Sequence, residues 1–266
     1  MKRLFALLLS MLCLFSGAVA EEEYGPMTQG DPATIGELTE LIDPAPYVPE
    51  DLDKAVFGAD DRTTINQTGK YPYSAIAYLI VKGKCGCEWT GSGFLIGKSA
   101  MATAAHCLIC KEHGDTPSGI TMYFGYKSNK NYAYRYNGGA TFWYGANPYV
   151  DGRYIADDDY AYLKLEKPVG EKMGTFGIRY PRDGARYTLT GYRHGVLKTS
   201  SGAVEYSTEK MLFYKTDTEP GYSGCPLYDS EYYAVAINVG YNDNYNFARR
   251  FTTDVVSEMY DHDLFD

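Results

Sequence analysis

Three side chains of this 266-residue chain have the types and settings for acyl-transfer chemistry. Ser223 lies in "TEPGYSGCPLY" (Thr218–Tyr228), between glycines in a turn-prone stretch that can present a hydroxyl rather than pack it. A serine hydroxyl becomes a nucleophile when a base takes its proton and an acid orients that base. Four histidines are available: His106, His113, His194 and His262. His106, in "ATAAHC", follows small residues that let another element approach closely, and Cys107 could pin the segment. Asp159, in "DDDYAYLKLE", heads an alternating strand, where a carboxylate can be held in a fixed direction. The three occur in the order His, Asp, Ser. An α/β-hydrolase needs the order Ser, acid, His and a G-x-S-x-G elbow, but here "GYSGC" puts Cys225 in the last position.

The cysteines form a second group. Cys85 and Cys87 ("CGC") and Cys107 and Cys110 ("CLIC") have a spacing that resembles a zinc site. In an oxidising compartment two cystine bridges are the preferred expectation, with connectivity open, so no metal ligands are assigned. Cys225 is left over, two residues past Ser223, as a buried thiol or an oxidation-sensitive spot. No cofactor is called for.

The elements that must position these groups read as strands. "SAIAYLIVKG", "GSGFLIG", "ITMYFGY", "RYTLTGYR", "KMLFYKTDT" and "EYYAVAINVGY" are rich in β-branched and aromatic residues and are punctuated by Gly, Asn and Asp. In "NYAYRYNGG", Tyr132, Tyr134 and Tyr136 share one face. Only "TTDVVSEMYDHDLF" departs, with Val255, Val256, Met259, Tyr260 and Leu264 at helical spacing behind a Thr252 or Thr253 cap. The outline is an all-β body ending in a short helix.

The chain opens with Lys2 and Arg3, an apolar run from Leu4 to Phe15, and Ala18-Val19-Ala20, the pattern of a secretory signal peptide cut after Ala20. Residues 21–55 carry ten acids against Lys54 alone, and five prolines, so they cannot bury a core and read as a propeptide. Of the net charge of −9, only −2 belongs to residues 56–266. That near-neutral body has no basic stripe, which argues against nucleic-acid binding. After signal removal no membrane association is expected, and the location is extracellular.

"TAAHC", "DYAYLKL" and "PGYSGCP" resemble the three catalytic motifs of chymotrypsin-fold serine endopeptidases. "VFGADDRTTINQTGKYPYSAIAYL", "TGSGFLIG" and "RRFTTDV" are similar to the bacterial V8-like, or glutamyl-endopeptidase, branch, so the resemblance spans about residues 56–260. It implies two six-stranded antiparallel β-barrels, about 56–166 and 180–251, with a C-terminal helix at about 252–265. It also implies a His106–Asp159–Ser223 triad, an oxyanion hole from the Gly221 and Ser223 N–H groups, and a monomer acting on proteins or peptides. Thr218 matches the family's pocket hydroxyl, and Asn238 stands where glutamyl-specific members carry a histidine. Asp217 lies where trypsin-like enzymes keep their basic-residue selector. Tyr222 replaces the aspartate that pairs with the new amino terminus in animal enzymes. In V8-like enzymes that amino group instead helps receive an acidic side chain, here from Val56, or from Ala55 if the cut follows Lys54. The expectation is acidic or polar preference at the cleaved position. The competing reading is a catalytically silent β module used in binding or adhesion, in which Tyr222 and Cys225 distort the nucleophile turn.

Overall fold

The computed structural model describes residues 33–35, 55–150, 153–182 and 184–265. The signal peptide expected at 1–20, and all of the expected propeptide except Ala33–Ile35 and Ala55, lie outside the described residues.

Two sheets make up most of the body, antiparallel except where Gly177–Ile178 pairs in parallel with Tyr233–Tyr241. The second follows the strand order Tyr233–Tyr241, Pro226–Tyr228, Arg186–Arg193, Val196–Ser207, Met211–Tyr214, Asn246–Arg250, and the last strand pairs back to the first. This is a closed six-stranded barrel, as the resemblance implied. The first sheet runs Ala33–Ile35, Ala140–Tyr144, Ala161–Leu165, Ala100–Thr103, Glu88–Gly97, Ile76–Gly83, Pro117–Phe124, Tyr134–Tyr136. It is an eight-stranded half-barrel rather than a second closed six-stranded barrel, because the three-residue strand Tyr134–Tyr136 ends as an edge. Tyr132 and Tyr134 pack half-buried against the core and Tyr136 is buried, so the shared face is as the alternation predicts.

Ala33–Ile35 pairs with the strand Ala140–Tyr144, in register Ala33 to Phe142 and Ile35 to Ala140. This segment thus adds a strand to one edge of the half-barrel, satisfying backbone groups that an edge leaves open.

The sequence of the strand after Asp159 alternates, with Tyr160, Tyr162 and Lys164 on one face and Ala161, Leu163 and Leu165 on the other, yet the faces do not divide into exposed and buried. Instead Ala161, Tyr162, Leu163 and Leu165 are all buried. The C-terminal helix, Thr253–Asp261, covers the outer face, and Glu258 accepts hydrogen bonds from Tyr160 and Tyr162 at 3.0 and 3.1 Å. Val255 and Met259 are the helix's buried anchors, with Leu264 buried just beyond it, while Tyr260 is exposed. Covering the Asp159 strand on both faces fixes the ground on which that carboxylate stands.

Candidate active site

His106 sits in the short 3₁₀ turn Ala105–Cys107, directly after the strand Ala100–Thr103. Asp159 precedes the neighbouring strand, Ala161–Leu165, and is fully buried. One carboxylate oxygen accepts the His106 backbone N–H at 2.9 Å, and the other lies 2.6 Å from His106 Nδ1. The backbone bond sets the carboxylate's rotation, so its second oxygen meets the ring rather than solvent. With Nδ1–H donating to Asp159, Nε2 is left as the acceptor, the tautomer a general base requires.

His106 and Ser223 line one cleft between the barrels, about 930 Å³ in volume, with Tyr154, Thr218, Gly221 and Asn238 also on its walls. Ser223 is presented by a turn with little freedom. Gly221 has φ +104°, and a Cβ there would stand 2.9 Å from the Tyr192 carbonyl oxygen. Gly224 has φ +81°, and a Cβ would collide with the Ser92 carbonyl and Thr103 Oγ1. Both conformations exclude ordinary L side chains. The Asn238 strand clasps the turn: Gly224 N–H donates to Asn238 O at 2.8 Å, and Asn238 N–H to Cys225 O at 2.9 Å.

Sequence reasoning missed Ser92. This fully buried residue of the half-barrel donates from N–H to Ser223 O at 2.8 Å and from Oγ to Gly221 O at 3.0 Å, and its Oγ accepts Tyr192 N–H at 2.9 Å. It ties the Ser223 turn to the half-barrel that carries His106. Tyr154 was also missed. Its hydroxyl is within hydrogen-bonding distance of Asp159 Oδ2 and of Val239 O, and its ring meets His106 edge-on with centroids 5.9 Å apart. Burial of the hydroxyl end, and then the Asp159 charge, push that phenol well above its ordinary range, so it stays protonated and donating. Nothing in "GRYIADDD" marks this tyrosine among 27.

Thr218 and Asn238 reach the cleft as expected. Asn238 Oδ1 accepts the Tyr214 hydroxyl at 2.5 Å, which leaves its amide N–H₂ as the donor. Val56 is half-buried and is not among the described residues lining the cleft; Ala55 is the docked residue. The Ala55 carbonyl accepts Thr218 N–H at 3.1 Å and Asn246 Nδ2 at 2.9 Å. Asp217 accepts Phe57 N–H and Asp61 N–H, one on each oxygen, at 2.9 and 3.0 Å. Arg62 pairs with Glu219 at 2.8 Å, and Arg193 reaches the same carboxylate at 3.2 Å.

Cys107 and Cys225 are buried thiols. Burial pushes Cys107 up to about 12 and raises Cys225 well above its ordinary value, so neither is a reactive thiolate. This answers the alternatives left for Cys225. It also corrects the expectation of two cystine bridges. All five cysteines among the described residues are free thiols, and Cys107 lies apart from the cluster formed by Cys85, Cys87 and Cys110. Tyr222 is buried under Arg62, whose guanidinium carbon lies 5.8 Å from the ring centre. His262 stacks on Trp143 at 4.3 Å.

A half-barrel and a barrel meeting at such a cleft define the class: a chymotrypsin-fold serine endopeptidase. The family pattern described as a trypsin-like peptidase domain matches residues 91–237, and the chain belongs to that family. It is 28% identical over 77% of its length to an extracellular metalloprotease of Bacillus subtilis, of which it covers 68%. It is 30% identical over 66% of its length to a glutamyl endopeptidase of Bacillus licheniformis, of which it spans about half, 55%. Among solved structures, a Glu endopeptidase in complex with MPD superposes with TM-score 0.64 at 22% identity, covering 78% of this chain and 98% of that one. The protease Anisep of Arthrobacter nicotinovorans does so with TM-score 0.56 at 20% identity, covering 73% and 97%. The V8-like branch is the part of the family to which these likenesses point.

Proposed function

We propose that this chain is a secreted serine endopeptidase that hydrolyses protein or peptide substrates as a monomer, through an acyl-enzyme formed on Ser223. The observation that carries the reading is the buried Asp159 carboxylate on His106 Nδ1, with Ser223 on the same cleft. Ser223 Oγ attacks the scissile carbonyl while His106 Nε2 takes its proton. The tetrahedral oxyanion is received by the Gly221 and Ser223 N–H groups. Collapse breaks the C–N bond, and His106 returns the proton to the leaving amine. Water then attacks the ester by the same relay and releases Ser223. Asp159 holds the ring and stabilises its charged form throughout. Cys225 and Tyr222 are both buried and neither is among the residues lining the cleft, which favours this reading over a silent binding module.

Residues 1–20 serve as signal peptide and 21–55 as propeptide in this proposal, with 56–266 as the protease domain. The junction supports activation by leader removal, because Ala55 already docks on Thr218 at the cleft. A new amine at Ala55 or Val56 would bring a cation beside Thr218 and the Asn238 amide. Asp217 and Glu219 are occupied by backbone N–H groups and arginines, so neither is free to select a basic side chain. These features support acidic or polar preference at the cleaved position, as do the names of the glutamyl-specific relatives.

Cleavage of a peptide library by the processed protein tests the proposal. It predicts cuts after Glu, Asp or polar residues that disappear in Ser223→Ala. Cuts after Lys or Arg, or none, would overturn it. Finding Ala55 and Val56 still internal in active protein would overturn the activation step alone.

A further inference from the structure

Away from the triad, the turn of the hairpin between Ile76–Gly83 and Glu88–Gly97 brings Cys85 and Cys87 to the loop that follows His106. That loop contributes Cys110 and His113. Their ligand atoms all lie within 4.8 Å of one another. Cys87 Sγ and Cys110 Sγ are each 3.5 Å from His113 Nδ1. A tetrahedral zinc with Zn–S of about 2.3 Å and Zn–N of about 2.0–2.1 Å has S···N edges of about 3.6 Å and S···S edges of about 3.8 Å. Both S···N distances match these edges, and all three thiols of the cluster are free.

We propose that Cys85, Cys87, Cys110 and His113 bind a structural zinc ion. Three soft sulfurs and an imidazole suit zinc over calcium, magnesium or manganese, which take oxygen ligands. Two tight turns pre-organise the ligands in pairs. Gly86, at φ +87°, reverses the chain between the first two cysteines, with Gly83 N–H on Cys87 O at 2.8 Å. Gly114, at φ +68°, closes the loop of the other two, with its N–H on Cys110 O at 2.8 Å. Lys84 N–H donates to Thr116 O at 3.1 Å, which joins the two turns even without the ion. A cystine would use two of the three thiols and leave the third, and the histidine, without a role. Four protein ligands leave no open coordination position, so the ion acts on structure and not on the peptide bond. Its place gives it a consequence for the active site. His113, Gly114, Glu112 and Lys111 line the same cleft as His106, so the ion fastens one rim of that cleft to the half-barrel.

The sequence expectation of cystines with no metal ligands rested on compartment alone. It could not separate Cys107, which is buried elsewhere, or bring in His113.

Metal analysis of the full chain and its processed form, purified without chelator, tests the proposal. About one zinc per chain is expected, falling to background in Cys110→Ser and His113→Ala and retained in Cys107→Ala. Should those variants not fold, cobalt titration of the unsubstituted, chelator-treated chain decides the matter. It should give the absorption of a tetrahedral cobalt thiolate, saturating at about one equivalent and abolished by zinc. A cystine between any two of Cys85, Cys87 and Cys110, found by non-reducing peptide mapping, would overturn the proposal. So would free thiols that take up neither zinc nor cobalt.

Discussion

Asp159 and Asp217 are both buried carboxylates near one cleft, and they differ in what donates to them. Asp159 gives one oxygen to a backbone N–H and the other to an imidazole and a phenol. Asp217 gives both oxygens to backbone N–H groups of Phe57 and Asp61, more than 150 residues earlier in the chain. The first carboxylate holds a group that can move a proton; the second holds a segment of backbone. Burial and charge alike are poor guides to a carboxylate's work, and the chemistry of its donors is a good one.

The comparison breaks if the two residues respond alike to substitution. Asp159→Asn leaves the shape of the site but favours the wrong His106 tautomer, and kcat should fall by about 10⁴-fold with the melting temperature little changed. Asp217→Ala should instead leave the part-buried Phe57 and Asp61 N–H groups without their acceptor. A stability loss of about 1–3 kcal/mol in total is expected, read by denaturant unfolding. The segment Ala55–Arg62 should also become open to added protease, and kcat in the surviving folded fraction should change much less than in Asp159→Asn. A smaller effect sharpens the specificity side. Asn238→Ala removes one pocket donor, and kcat/KM for the best acidic or polar substrate should drop about tenfold. The smallest change is Tyr154→Phe. Losing one hydrogen bond to Asp159, worth about 0.5–1.5 kcal/mol, should lower kcat by about three- to tenfold without altering the cleavage-site profile.

The same contrast explains what could be read in advance. His106, Asp159 and Ser223 could be proposed together because each sits in a short motif whose local setting is visible in the chain: small residues before the histidine, a strand after the aspartate, glycines around the serine. Asp217 was ambiguous for the opposite reason. Its partners are set by how Ala55–Arg62 folds back over the second barrel, a long-range event with no local signature. Ser92 and Tyr154 reach the Ser223 turn and Asp159 through space and look like any strand serine or surface tyrosine. The alternating runs gave the all-β body, but the count of strands in the half-barrel was not legible. The half-barrel stays open at the three-residue edge Tyr134–Tyr136 and takes its other edge strand, Ala33–Ile35, from an acidic, proline-containing stretch distant in the chain. The cysteines were misread because spacing along the chain put Cys107 with Cys110; both are buried, but the 3₁₀ turn at Ala105–Cys107 keeps the first apart, and the loop beyond it brings the second against the Cys85–Cys87 hairpin.

The central claim is that an imidazole oriented by Asp159 activates Ser223 and no other serine. Peptide mapping of the processed protein after reaction with a serine-directed phosphonate tests it most directly. The account predicts a single adduct on Ser223, formed orders of magnitude more slowly in His106→Ala. An adduct elsewhere, no adduct, or His106→Ala labelled at the unsubstituted rate would contradict it.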